Sequence, residues 1–224
     1  MEFKAIERKT GSFQESVSEE HLVAMSRRAF GAGTEVVSAH ELGGGLYNNT
    51  YRVELRGEGS VILRVAPETS RQSRIEWSLM RNEYVSLPYF APIAVMMPRT
   101  LFVDWTHEVV ERDFMWQTLL GGVPALDGLK AYPRSAWLPF YRQLGTITAL
   151  VHGVRGERFG PVAGPGFGTW SAAVVSVLDN TAADLADAGL DMTDVEEVIT
   201  TAIENSTVLD EVKEPRLLHG DLWT

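Results

Sequence analysis

Three short stretches of this chain carry residue types that could act on one reaction. The first is Leu42-Gly43-Gly44-Gly45-Leu46-Tyr47-Asn48-Asn49-Thr50. Glycines let backbone N–H groups approach phosphate oxygens with no Cβ in the way. In the spacing Gly43-x-Gly45-x-x-Asn48, Asn replaces a third glycine, and Asn tolerates positive φ better than most residues. The second is Arg64 in Val61-Ile62-Leu63-Arg64-Val65, a fixed cation in an apolar run. The third is Leu217-Leu218-His219-Gly220-Asp221-Leu222-Trp223-Thr224 at the end of the 224 residues. Its leucine pair reads as a buried strand that delivers the Asp221 carboxylate into a loop. There it could accept the proton of an attacking hydroxyl. His219 reads as a hydrogen-bonding structural residue rather than a second base.

Each stretch also has a plainer reading. The glycines could form an ordinary hairpin turn, and Arg64 a surface ion pair worth under about 1 kcal/mol. His-Gly-Asp is a common tripeptide. Context narrows the first stretch. No Gly-Lys-Ser/Thr opens a helix, so it is not a Walker A loop, and a dinucleotide fingerprint would run from strand into helix. Here Tyr51, Val53 and Leu55 alternate with polar residues after the glycines, so the loop joins two strands. Val61, Leu63 and Val65 alternate again, which turns Arg64 to the opposite face. A cation there needs a partner: Glu83 on the following helix is the expected one, with Glu76 the competitor.

The elements that must position these residues follow from periodicity. Ser16 and Glu19 have capping-box spacing for a helix to Phe30. Strands are expected from Glu35 to Val65, and a second helix from Ser73 to Leu87, stopped by Pro88. Leu101–Val103, Glu108–Val110 and Phe114–Trp116 supply two or three further strands. Gly121-Gly122-Val123-Pro124 suits a hinge. Trp137, Tyr141, Leu144, Thr148 and Val151 then share a helical face, as do Trp170, Val174, Val177, Leu178, Thr181 and Leu185. Residues 156–168, with five glycines and two prolines, form a loop. Thr193 and Glu196 box a helix to about Glu204. The plan is α+β: residues 1–34 an N-terminal helical extension, 35–120 a β-rich lobe, 121–224 an α-rich lobe.

Composition narrows the chemistry. With 45% hydrophobic and 22% charged residues the chain reads as globular, without an apolar run near the ~20 residues that span a bilayer. No signal-peptide core is present, so a cytoplasmic enzyme is expected. The absence of cysteine excludes disulfides and thiolate chemistry. The five histidines lack ligand-like spacing. A formal charge of −10 opposes nucleic-acid binding. Residues 179–214 hold eleven acidic side chains and one Lys, a solvated surface or an acidic wall for a cationic acceptor. The tryptophans 77, 116, 137 and 170 read as core residues.

Taken in order, the glycine stretch, Val-Ile-Leu-Arg-Val, Arg81-Asn82-Glu83-Tyr84, Leu-Val-His-Gly and Leu-Leu-His-Gly-Asp-Leu-Trp resemble the aminoglycoside phosphotransferase family of kinase-like enzymes. The resemblance runs over about residues 35–224. It implies a two-lobed protein-kinase-like fold, ATP or GTP with Mg²⁺, and transfer of the γ-phosphate to a hydroxyl of a small molecule. Acceptors could be an aminoglycoside or other antibiotic-like compound, a sugar or an amino alcohol. The fructosamine kinases, a related group, share His-Gly-Asp-Leu-Trp, so a ketoamine is an alternative. A non-catalytic nucleotide-binding module on the same scaffold is another.

Carried over residue by residue, Gly43, Gly44, Gly45 and Asn48 would cover the phosphates, and Arg64 and Glu83 would form the phosphate-orienting pair. Gln117 and Leu119, in a strand running into the connector, would face adenine. Asp221 would be the base. The family's metal-binding Asn, about five residues after that Asp, and its later metal-binding Asp fall beyond residue 224. The resemblance therefore implies an incomplete α-rich lobe and a fragment without activity.

Overall fold

Alternation in the sequence becomes one buried face of a sheet. The computed structural model describes residues 1–9 and 11–220. It divides into two compact units: Met1–Gln72 with Met97–Gly121, and Ser73–Met96 with the chain from Gly122 onward.

The first unit is built on six strands: β1 (Glu2–Lys4), β2 (Val36–Leu42), β3 (Asn49–Leu55), β4 (Gly59–Val65), β5 (Thr100–Asp104) and β6 (Phe114–Thr118). Their order is β1-β2-β3-β4-β6-β5, with β1 parallel to β2 and every other pair antiparallel. Tyr51, Val53, Leu63, Val65 and Trp116 are fully buried on one face. The helix α1 (Glu19–Phe30) covers that face with Leu22 and Met25, and Phe30 meets the Trp116 ring edge-on at 5.1 Å. Burying a side chain such as Leu22 stabilises by roughly 1.5–3 kcal/mol. Residues 1–34 thus supply a strand and a helix to this unit.

Two local expectations change here. The α1 cap is Ser18, whose Oγ accepts the His21 N–H at 3.1 Å, whereas Ser16 donates to Glu41 at 2.7 Å. A carboxylate held by the sheet outcompetes the helix end for that hydroxyl. Residues 108–110 form bends rather than a strand.

The second unit is helical. A Ser73/Glu76 capping box forms, but only around a short 3₁₀ turn. Ser78, at φ +60°, interrupts the expected helix before α2 (Leu79–Ser86) begins. There follow α3 (Ala125–Lys130), α4 (Leu138–His152), α5 (Trp170–Asp187), α6 (Thr193–Glu204) and α7 (Ser206–Leu209). Thr169 caps α5 by accepting the Ala172 N–H at 3.2 Å. Thr193 does not cap α6: Asp191 does the local bonding, taking the Thr193 N–H and hydroxyl. Several acidic residues expected on a solvated surface have structural partners. Asp184 and Asp187 bind the Arg74 guanidinium at 2.5 and 2.6 Å, and Asp210 accepts the Ser171 N–H. Trp77 is not a core residue: it is 55% exposed, with the Arg74 cation 5.7 Å from its ring centroid. Among the described residues no helix is long and apolar enough to cross a membrane.

Candidate phosphate-binding loop and its supports

The glycine stretch joins β2 to β3, as the alternation on either side predicts. Gly44 has φ +98°, and a Cβ built there meets nothing within 4 Å, so backbone conformation rather than crowding calls for glycine. The positive-φ reading of Asn48 does not hold. Ser78 and His107 are the non-glycine residues with positive φ among the described ones. Asn48 instead buries a side-chain oxygen that has no hydrogen-bond partner. A half-turn of that amide would present a donor at the same place.

The two ends of the loop are tied together by residues that pattern reasoning passed over. Glu41, beside the loop's start, and Asn49, at its end, are joined by a 2.7 Å bond from Asn49 Nδ2 to Glu41 Oε1. The Glu41 side chain is fully buried. Burial alone would raise its pKa. Hydrogen bonds from Ser16, the Ile6 N–H, Asn49 and Arg8 outweigh that and hold the carboxyl below the usual carboxylate range. Asn49 is 1% exposed, and its Oδ1 faces Arg112 Nη1 at 3.5 Å. The same Arg112 nitrogen donates to the Glu15 carbonyl at 2.8 Å. Burial lowers the Arg112 pKa, partly offset by the field of Tyr51. One weak signal was available in the sequence: a Glu near the end of a strand, two residues before a glycine run.

Arg64 lies directly across the ladder from Thr50, the second residue after the loop, and from Met115 on the other side. Leu63 and Val65 are fully buried under α1, while Arg64 is half-buried on the second face, with Thr50, Ile62, Met115 and Gln117 in register beside it. The register therefore sets Arg64 beside Thr50, two residues past the glycine loop, on the face of the β3–β4 ladder opposite α1.

Gln117 lies in the strand that runs into the connector, as the sequence reading has it. It is inside β6, opposite Ile62 of β4 and Thr100 of β5. Thr118 donates its N–H toward the β5 side, to the Arg99 carbonyl at 2.9 Å. Neighbouring N–H groups in a strand alternate between edges, so the Gln117 main chain points to β4 and is engaged in the ladder. Leu119 is the first residue past the strand and is 38% exposed. A depression of about 680 Å³ beside it is lined by Phe30 and Val61, which places it on the α1 side of the sheet, away from the Arg64 face.

Glu83 is carried by α2 in the second unit. Its competitor Glu76 gives one carboxylate oxygen to the Ser73 box, accepting from both the N–H and the hydroxyl. Asp221 lies outside the described residues. The stretch leading to it is not a buried strand: Leu218 is 61% exposed, and pairing is limited to an isolated bridge between Arg216 and Arg155. That bridge, with the Leu217 N–H on the Val154 carbonyl at 3.0 Å, docks the segment against the end of α4. Gly220 then takes φ +81°, a turn that a side chain would strain. Among the described residues no group of three His, Asp or Glu side chains is placed to hold a metal ion.

A six-stranded sheet with a glycine loop and a strand cation, followed in sequence by helices, defines a kinase-like α+β fold. Solved structures share it. A candidate fructosamine-3-kinase from Thermobifida fusca YX-ER1 superposes with a TM-score of 0.56 at 20% identity, over 92% of this chain and 68% of that one. APH(2″)-IIIa in complex with GDP and kanamycin gives 0.53 at 19% identity, over 91% and 65%. A candidate aminoglycoside phosphotransferase from Ralstonia eutropha JMP134 gives 0.50 at 16% identity, over 75% and 47%. The chain thus spans about two thirds or less of the length of these proteins. No protein-family model matches it, and no curated protein sequence does.

Proposed function

We propose that this chain is the nucleotide-binding part of a small-molecule kinase that transfers the γ-phosphate of ATP or GTP to an acceptor hydroxyl. The observation that carries the reading is the β2–β3 glycine loop with Arg64 across the ladder from Thr50, just past the loop's end. Phosphoryl transfer asks the protein mainly for positioning and charge neutralisation. Backbone N–H groups of Gly43–Asn48 would bind the phosphate oxygens, and the Arg64 guanidinium would offset their charge. The guanidinium fork can bond two oxygens at once. Leu119, rather than the ladder-bound Gln117, offers main-chain groups to a base edge, and Gln117 would act through its side chain. Glu83 and Asp221 keep the roles that the family resemblance gives them, orienting partner and base. Among the described residues no group of three acidic or histidine side chains is placed to hold Mg²⁺. The structures of similar fold support the reading, since APH(2″)-IIIa was solved with GDP and kanamycin. They favour a small, cationic acceptor, with a ketoamine the alternative suggested by the fructosamine-3-kinase.

Thermal melts with ADP, GDP, ATP and GTP, with and without Mg²⁺, test this. At a hundred times Kd a bound nucleotide stabilises by about 2.7 kcal/mol. For a chain of this size that raises Tm by roughly 5–10 °C. Arg64→Ala should weaken binding at least about tenfold. No shift with any of the four nucleotides would remove the proposal. Binding without acceptor-dependent ADP or GDP release would favour a non-catalytic module.

A further inference from the structure

The glycine loop is held from behind by the N-terminal stretches 6–8 and 13–17. Gln14 Nε2 donates to the Asn48 carbonyl at 2.9 Å and to the Gly45 carbonyl at 3.2 Å. Its own amide oxygen accepts from Arg8 Nη2 at 3.3 Å, which fixes which end of the amide faces the loop. Arg8 is anchored in turn on Ser16 Oγ at 2.9 Å and on the buried Glu41 carboxylate at 2.8 Å. Phe13 packs on Tyr47 with ring centroids 5.8 Å apart, and Ile6 lies behind Gly43, 3.7 Å from where a Cβ would stand. The bonds from the strap to the loop and to Glu41 join residues 25–35 positions apart in sequence, so these contacts are tertiary.

We infer that Gln14 is a positioning residue for the glycine loop, and that this N-terminal strap sets nucleotide affinity; the inference rests on the phosphate-binding reading of that loop. In a planar peptide the carbonyl of one residue and the N–H of the next point in opposite directions. Pinning the Gly45 carbonyl toward Gln14 therefore aims the Leu46 N–H away from the strap. A three-glycine loop without this support would sample many backbone states, and binding would have to select among them. Leu46, 89% exposed at the loop tip, offers no packing of its own to do the job.

The test uses the full chain and two variants. Gln14→Ala removes both donors, and Gln14→Glu sets an acceptor against two carbonyls. Amide exchange across residues 43–48 should quicken by about five- to tenfold in Gln14→Ala and more in Gln14→Glu. Dissociation constants for ADP and GDP should rise by a similar factor, with the ligand-free Tm within about 2 °C of wild type. Loop exchange and Kd both within twofold of wild type would overturn the inference. So would a lowered Tm with unchanged loop exchange, since that marks a merely structural residue. If the wild type binds neither nucleotide while loop exchange still responds to both variants, Gln14 is upheld as the loop's support and the kinase reading fails.

Discussion

Glu41→Gln separates a designed loop clamp from an incidental buried acid. The wild-type carboxylate takes four donors: Ile6 N–H at 2.9 Å and Ser16 Oγ at 2.7 Å on one oxygen, Asn49 Nδ2 at 2.7 Å and Arg8 at 2.8 Å on the other. Glutamine keeps the shape but turns one oxygen into an NH₂ group that faces two donors. Each donor left without a partner in a buried site costs about 1–3 kcal/mol. With some relaxation the loss is about 3 kcal/mol, a fall in Tm of roughly 6–12 °C at pH 7. Differential scanning calorimetry from pH 7 to pH 3.5 reads both magnitude and cause. Because the folded pKa is depressed, the carboxylate's contribution is fully present above the ordinary value of 4.5 and is lost as pH falls through the lower folded value. Glutamine cannot titrate, so the gap between wild type and variant should close on acidification. A fall under about 3 °C at pH 7, or a gap that stays constant to pH 3.5, would refute the clamp.

Two further perturbations probe the support of the sheet. Tyr51→Phe leaves the Val17 N–H, now bonded to the phenol oxygen at 3.0 Å, without a partner, and should cost about 1–2 kcal/mol by urea denaturation with the m-value unchanged. Leu22→Ala opens a cavity between α1 and the sheet at a fully buried position and should cost about 2–5 kcal/mol; a loss under 1 kcal/mol would mean that α1 contributes little to this core.

The sequence by itself determined what depends on neighbours along the chain. Alternation at Tyr51, Val53 and Leu55 and at Val61, Leu63 and Val65 placed two strands, set the glycine loop as the entry to the first of them, and put Arg64 on the face away from the core. Helical spacing placed α4, α5 and α6 within a few residues, because burying one stripe needs only the local period. Tertiary structure decided which polar group binds which. Ser16 has helix-capping chemistry, yet its hydroxyl goes to a carboxylate 25 residues away. Gln117 was read into a strand, but the pairing of that strand with both β4 and β5 is what engages its main chain. Ser73 and Glu76 make their box, yet Ser78 breaks the helix it was expected to start. A hydrogen bond is made by whichever partner the register brings within about 3 Å, and that register is set by burial summed over the whole sheet. The glycine loop was therefore legible at once, while the Glu41–Asn49 clamp and the Gln14 strap that hold it emerged only when the N-terminal segment lay against the β2–β3 pair.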